Sequence, residues 1–496
     1  MNILGIAAGF HDASATVLSR NGEILFAGHS ERYSKIKSDP NISRGLVEDM
    51  DGFEIDHIAY YERPWAKQLR RLYSGEGVEW NKLSTRRILK QQLKPFCDEP
   101  AISMQVSSHN HHLSHAAAGF QTSTFDRATV VIIDAIGEWD TISIWAAEYI
   151  DGQAQYKRLW GQKYPHSIGL FYSAMTQRIG LKPNEEEYIL MGMAAYGKRG
   201  MGSWLQNLTV ENEWDITFQD NMHLGVDPGL LKRIGDVDIA AGTQFVAEQL
   251  VLNIMKRAAD FGWSKNLVYG GGVALNCSIN RYLGDYFDRI WILPNPGDAG
   301  SSLGAAALAL GGRVHWTGPY LGYNIPGEYP VNAALDVLLT DQIVGVASGR
   351  AEFGPRALGN RSLLADPRGQ DIKDRVNEIK RRQKFRPFAP VILAEFASDY
   401  FHLPRGWTDS PYMQSVAECL RPDLYPAIVH YDGSSRVQTV AKDSPSGIRE
   451  LLEKWFVMTG CPMLLNTSLN IRGEPMVNDL SDAKRFQDLY GIKVVS

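Results

Sequence analysis

The segment SSHNHHLSHAAAGF, residues 107–120, holds four of the chain's 12 histidines within seven positions: His109, His111, His112 and His115. On a helix of about 3.6 residues per turn, His111 and His115 project from one face, one turn apart. That spacing suits two ligands of one metal ion, because neutral imidazole is the commonest protein metal ligand. The small residues that follow, Ala116, Ala117, Ala118 and Gly119, favour close packing, so the histidine face is expected to look inward. A buried helix whose imidazoles find polar partners, or a capping cluster near a helix start, is the competing reading.

Other chemistry-bearing residues cluster at turns. GFHDAS places His11 and Asp12 between two short strands, and DAIGEWD places Asp134 at the end of a β-branched strand. NPGDAGSSLGAAALAL sets Asp298 before an alanine-rich helix, where the simplest role is an N-cap. In GGGVALN a strand feeds three glycines and then a helix start, an arrangement that offers free N–H groups to a phosphate or nucleotide. Its spacing is that of neither the Walker A loop nor the dinucleotide fingerprint. Further along, KRRQKFRPFAP packs five cations into the seven residues from Lys380 to Arg386. Such a run reads as a solvated basic face or, with Phe385, Pro387, Phe388 and Pro390 among the charges, as a walled pocket. Arg350, Arg356, Arg361, Arg368, Arg436, Asn466, Ser468, Asn470 and Arg472 stand in loop-like sequence around it.

The elements that must position these residues read as α/β. Strands are expected at Asn2–Ala8, Ala15–Ser19 and Glu23–Ala27, with an Asn21-Gly22 hairpin turn. A second strand-turn-strand unit ends at Asp134, resumes over Thr141–Tyr149 and turns at Asp151-Gly152, which suggests a duplicated domain. A helix is expected over Gln244–Phe261 and a strand over Asn266–Tyr269, with a domain boundary near residue 335.

Composition narrows the function classes. The chain has 496 residues, 44% hydrophobic and 22% charged, with a net charge of −5. It is long enough for several cores, and its acidity argues against general binding to nucleic acid or anionic membrane. Cys97, Cys277, Cys419 and Cys461 lie far apart and form no C-x-x-C pair, so neither a disulfide framework nor a structural zinc is expected. The N-terminal sequence lacks a basic n-region, and no apolar run reaches about 18 residues, so a cytoplasmic location without a membrane span is expected.

Ten stretches in order from residue 9 to 475, among them GFHDASA, HNHHLSHAAAGF, EYILMGMAAYG, EFGPRALGNRSLLADPR, KFRPFAP and NTSLNIRGEP, resemble the O-carbamoyltransferases that tailor nodulation factors and antibiotics. The resemblance implies a duplicated sugar kinase/actin-like (ASKHA) domain over 1–335, similar to tRNA threonylcarbamoyl transferases, followed by an α+β YrdC-like domain over 336–496. It implies that ATP and carbamoyl phosphate, with Mg²⁺, give carbamoyl-adenylate in the second domain, and that the first passes the carbamoyl group to a hydroxyl of a small-molecule acceptor. By the same resemblance His11 is the catalytic base, and His111, His115, Asp134 and Asp298 hold a metal. Fe(II) is favoured, with Zn or Mn as alternatives. Gly271, Gly272 and Asn276 would line the nucleotide, while Arg356, Lys380, Arg382, Arg436, Asn470 and Arg472 would cradle carbamoyl phosphate and adenylate. His109 and His112 are assigned to packing or supporting hydrogen bonds.

The family places Gly at Ala135 and Lys-Val at Ile189-Leu190, so a narrower turn and a missing cation are expected here. The sequence between Gly197 and Gln244, where acceptor choice is expected to lie, is short. No membrane or nucleic-acid partner is expected, and a homodimer is allowed for. Carbamoylation or threonylcarbamoylation of a nucleoside or tRNA, and a non-enzymatic nucleotide-binding role, are the alternative functions.

Overall fold

The computed structural model describes residues 1–95, 104–198, 200, 205, 209–211, 215–227 and 232–496. Cys97 and part of the Gly197–Gln244 segment lie outside the described residues. The chain forms two units. Met1–Leu25, Pro40–Ile42 and Gly52–Trp316 make the first; Phe26–Asp39, Ser43–Asp51 and Thr317–Ser496 make the second.

Two five-stranded sheets build the first unit. One runs in the order Ile24–His29, Ser14–Ser19, Asn2–Ala7, Ile55–Tyr60, Gln105–Ser108, and its first strand carries the chain out of the unit after Leu25. The other runs Gln153–Lys163, Asp140–Ile150, Arg127–Gly137, Asn266–Gly270, Arg289–Trp291. In both, the middle strand is antiparallel to the hairpin partner that follows it and parallel to the strand on its other side. The same order and the same directions occur twice, which is the duplication expected from the two hairpins.

Two helices bring the site residues together. The alanine-rich helix Ser301–Leu310 lies on the first sheet, where Thr16 Oγ1 is 2.9 Å from Ser302 Oγ and Ser14 Oγ donates to Ala299 O at 2.6 Å. A Cβ on Gly5 would stand 1.9 Å from Ser302 O, so only glycine lets this helix settle onto the strand. The histidine helix His111–Phe120 lies on the second sheet, burying Ala116 and Phe120 with Val130, Ile132 and Val268.

Three local expectations change. The long helix runs Asp236–Asp260 and so starts eight residues before Gln244; Asp236 and Asp238 in its first turn complement the helix dipole. The strand after His11 begins at Ser14, and the next extends to His29. The helix after GGGVALN is one turn, Cys277–Asn280, preceded by a 3₁₀ turn over Gly272–Leu275, too short to offer a substantial dipole.

The second unit is centred on a six-stranded mixed sheet ordered Gln438–Val440, Ala389–Leu393, Met463–Ser468, Arg361–Ala365, Ile343–Ala347, Val494–Val495. The boundary expected near 335 falls inside this unit. Tyr320–Ile325 pairs with Gly349–Glu352, and the helix Val331–Asp341 buries Val331, Ala334, Val337 and Leu338 in the unit's core. The N-terminal excursion is tied in by Arg32, whose Nη2 donates to Gly354 O at 2.8 Å. Among the described residues no helix is long and apolar enough to cross a membrane. Cys277, Cys419 and Cys461 are free and buried.

Candidate active site and metal centre

Asn110 caps the histidine helix, its side chain accepting from Leu113 N at 3.0 Å, and this sets His111 on the first turn. His111 and His115 then face Asp134, on Arg127–Gly137, and Asp298, in the turn before the alanine-rich helix. His111 Nε2 is 3.1 Å from His115 Nε2, 3.2 Å from Asp134 Oδ2 and 3.4 Å from Asp298 Oδ1. His115 Nε2 is 3.4 Å from Asp298 Oδ1 and 4.0 Å from Asp134 Oδ2. Ligands at metal bonds of about 2.0–2.2 Å in a tetrahedron stand roughly 3.3–3.6 Å apart; the four donor atoms here all lie within 4.8 Å of one another, so small side-chain adjustments would bring them onto one ion.

The chemistry of the donors fits as well. His115 Nδ1 lies 3.2 Å from Ser301 Oγ, and His111 Nδ1 faces Glu62 Oε2 at 3.5 Å. With a proton on each Nδ1, both Nε2 lone pairs aim at the same point. Burial disfavours charge on His111, yet the two aspartates and Glu62 outweigh it and raise its pKa well above the usual range. Burial pushes Asp134 and Asp298 up, and the imidazoles outweigh that and hold both low. A centre with one buried and one largely buried carboxylate draws positive charge strongly. Two imidazoles with two carboxylates suit a borderline divalent ion.

Asp134 is braced from outside the cluster. Its Oδ1 accepts from Gly272 N at 2.9 Å. Gly271 has φ +87°, and a Cβ there would stand 2.3 Å from Ile133 O, so the triple-glycine turn presses on the strand that carries Asp134. Asn276 exchanges hydrogen bonds with Gln244 at 2.9 and 3.2 Å and caps Cys277–Asn280. Gly272 is thus placed against the His111–His115–Asp134–Asp298 cluster, and Asn276 against the long helix. Ala135 fits its turn, with its carbonyl accepting from Ser167 Oγ at 2.7 Å. Ile189 and Leu190 are fully buried where a cation was missing.

His11 is 39% exposed, and its Nδ1 lies 2.9 Å from Asp12 Oδ2. Burial works against charge on this ring, but the Asp12 hydrogen bond and charge, with Asp298 and Asp134 beyond, raise its pKa to about 9. His109 and His112 stand outside the donor set. His109 Nε2 is 3.0 Å from Ser107 Oγ and His112 Nδ1 is 2.7 Å from Ser143 Oγ; burial pushes them down to about 4 and about 3.

Sequence reasoning missed three supporting groups. Besides Glu62 and Ser301, Glu138 accepts from Arg63 Nη2 at 2.6 Å, Asn110 Nδ2 at 3.1 Å and His111 N at 3.3 Å. Glu138 lies in the acid-rich turn after Asp134, and Glu62 lies just past the end of the parallel strand Ile55–Tyr60. In open α/β sheets, that end is where ligand-binding groups gather. This was the available signal.

In the second unit, Lys380 closes the helix Ile372–Ile379 and is buried. Its ammonium donates to Asn470 O at 2.8 Å, Asn470 Oδ1 at 2.9 Å, Ser468 Oγ at 3.2 Å and the Ser468 carbonyl. Arg472 N donates to Lys380 O at 3.0 Å. Burial, then Arg382, Arg386 and Lys37, push the Lys380 pKa well down. Arg382 donates from Nε to Asn377 Oδ1 at 2.7 Å and lies over the Phe388 ring at 4.0 Å. Asn466 Nδ2 bridges Ala357 O at 3.2 Å and Gln438 Oε1 at 2.7 Å. The loop after Arg356 and the strand after Arg436 therefore meet beside the strand that leads to Asn470. Arg436 Nε is buried without a hydrogen-bond partner among the described residues. Arg472 is exposed.

A duplicated two-sheet unit with a largely buried His₂Asp₂ cluster, followed in the chain by a mixed-sheet unit with a cationic loop cluster, defines the class of protein. Residues 2–307 match the carbamoyltransferase N-terminus and residues 335–495 the carbamoyltransferase C-terminus. The uncharacterized protein sll1178 of Synechocystis is 34% identical over 98% of this chain and 94% of its own. Nodulation protein NolNO of Sinorhizobium fredii is 30% identical over 97% of this chain and 77% of its own. Among solved structures, T. kodakarensis HypF is similar at 14% identity over 62% of this chain and 48% of its own, with a TM-score of 0.37. The chain belongs to the carbamoyltransferase family and is a transferase enzyme.

Proposed function

We propose that the second unit makes carbamoyl-adenylate from carbamoyl phosphate and ATP, with Mg²⁺, and that the first unit transfers the carbamoyl group to a hydroxyl of a small-molecule acceptor. Adenylation consumes one water and releases phosphate and pyrophosphate. Acceptor attack then forms the new carbamate C–O bond and releases AMP.

The observation that carries the reading is His11: an accessible imidazole paired with Asp12 and within the field of Asp134 and Asp298. Its role is to take the proton of the acceptor hydroxyl as the oxygen attacks the carbonyl carbon. His111, His115, Asp134 and Asp298 would hold a divalent ion, for which Fe(II) is the first choice and Zn(II) or Mn(II) the alternatives. When bound, that ion supplies Lewis acidity toward a carbonyl or phosphoryl oxygen. Gly271, Gly272 and Asn276 form the nucleotide side of this site.

In the second unit, several phosphate groups must be brought together against their repulsion, which calls for clustered cations with bidentate reach. Arg356, Lys380, Arg382, Arg436 and Arg472 fill that role. Lys380 locks the Ser468–Asn470 loop in place, and Asn470 presents its polar side chain beside it.

The test is incubation of the purified protein with ATP, carbamoyl phosphate and Mg²⁺ in the absence of acceptor. Carbamoyl-adenylate and stoichiometric pyrophosphate are expected. Pyrophosphate release that requires threonine, or ATP binding without any adenylate, would overturn the reading.

A further inference from the structure

We propose that Glu62 is a positioning residue for the four-donor centre: it accepts the Nδ1 proton of His111 and so fixes Nε2 as the metal-binding atom of that ring. The inference rests on the reading of His111, His115, Asp134 and Asp298 as a metal site.

Glu62 has no exposed surface, and burying an ionised carboxylate is costly unless it is paired. Its two oxygens each lie 3.3 Å from Lys67 Nζ, and Oε2 turns to His111 Nδ1 at 3.5 Å. The backbone at Glu62 is pinned by Ser108 Oγ, which donates to its carbonyl at 2.6 Å. Lys67 is itself held, with its ammonium 3.6 Å from the centre of the Phe10 ring, next to His11. The carboxylate thus lies between the Lys67 ammonium and the His111 ring, on a pinned backbone.

His111 Nδ1 is buried and the carboxylate facing it is Glu62, with Oε2 at 3.5 Å, so Glu62 is the group placed to fix which ring nitrogen carries the proton. A carboxylate behind an imidazole fixes the tautomer and makes the opposite nitrogen a stronger donor. His115 is backed by a neutral hydroxyl, Ser301 Oγ at 3.2 Å. The two histidines are thus unequal ligands: His111 is strengthened by charge and His115 is only oriented. Nothing in Glu62's own position lets it coordinate, since it faces the ring nitrogen opposite Nε2.

The experiment strips the full chain with a chelator and reloads it with Co(II). Affinity is read by competition with a chelating dye, ligand-field strength by the visible absorption band, and apo stability by thermal unfolding. Wild type is expected to bind one Co(II), and Glu62→Gln to bind about 10–100-fold more weakly with a shifted band. Because that variant leaves Lys67 without its partner, the double variant Glu62→Gln/Lys67→Met, which restores local charge balance, is measured alongside and is expected to show the same loss.

Unchanged affinity and band in both variants overturn the proposal. So does a loss of affinity that follows loss of apo stability with the band unmoved. A wild-type chain that takes up no Co(II) overturns the metal-site reading itself, and this proposal with it.

Discussion

Gly304 lies so close to Ser114 that a Cβ on the glycine would stand 1.8 Å from the serine carbonyl oxygen. The two residues belong to the alanine-rich and histidine helices, which carry or adjoin three of the four donors, His111, His115 and Asp298. Backbone-to-backbone approach at this point is what lets Asp298 reach His111 and His115 at 3.4 Å. Gly304→Ala must push the helices apart, because the atom met is backbone and cannot rotate away. The expected cost is about 1–3 kcal/mol of stability. Metal content should fall further than that loss of folded protein explains, which elemental analysis of the folded fraction will check.

The histidine cluster divides cleanly. His111→Ala and His115→Ala each should lose most bound metal, since each removes a donor within 3.4 Å of two or three others. His109→Ala should keep it, because its ring faces Ser107. Elemental analysis of the three purified variants decides the matter; equal metal retention in all three would return the cluster to a packing role.

Much of this was legible in the sequence, for reasons that differ by residue. Asn21-Gly22 and Asp151-Gly152 mark two hairpins by turn chemistry alone, and the repeated hairpin announced the duplication. His111 and His115 declared themselves because helical spacing is fixed by geometry. Glu62 and Ser301 did not, because their partners are distant in sequence and only the packing of strands and helices brings them to the rings. Nor did the capture of Phe26–Asp39 and Ser43–Asp51 by the second unit, since periodicity reports which face is buried and not what buries it. Within the cation run from Lys380 to Arg386, Arg381 and Lys384 are solvated, as a basic face would be, whereas Lys380 is buried at the loop junction, and spacing alone did not tell them apart.

That buried Lys380 leads to a third prediction. Lys380→Ala and Arg436→Ala should each abolish carbamoyl-adenylate formation, measured as pyrophosphate release, and leave metal content unchanged. Proton linkage gives an independent check. The Lys380 pKa is pushed down in the free protein by burial and neighbouring cations, so an incoming anion favours the protonated form and raises it. Binding of ATP or carbamoyl phosphate should therefore take up protons, and affinity should fall as pH rises. Calorimetry in buffers of different ionisation enthalpy measures the uptake, which Lys380→Met should remove; equal uptake by that variant would assign it elsewhere.

The last prediction separates the two half-reactions at His11. If this imidazole is the base for acceptor attack, His11→Ala should still make carbamoyl-adenylate but transfer it from preformed intermediate with a loss of about 10²–10⁴-fold. The sign of the pH dependence follows from the surroundings. Burial resists protonation, but Asp12, Asp298 and Asp134 raise the pKa to about 9, so the free base becomes abundant only toward that pH. At pH 7 a base of that pKa is unprotonated in roughly one molecule in a hundred. Transfer should rise with pH on a limb set by this group, and a cation held by Asp134 and Asp298 would cancel their share and move the limb below 9. Asp12→Asn removes the nearest carboxylate charge, so the limb should move further toward the ordinary histidine range and transfer at neutral pH should gain relative to its own plateau. In His11→Ala the loss should shrink at high pH, where hydroxide replaces the imidazole. A variant that blocks adenylate synthesis and leaves transfer intact, or an Asp12→Asn profile displaced to higher pH, would remove His11 from the role of base.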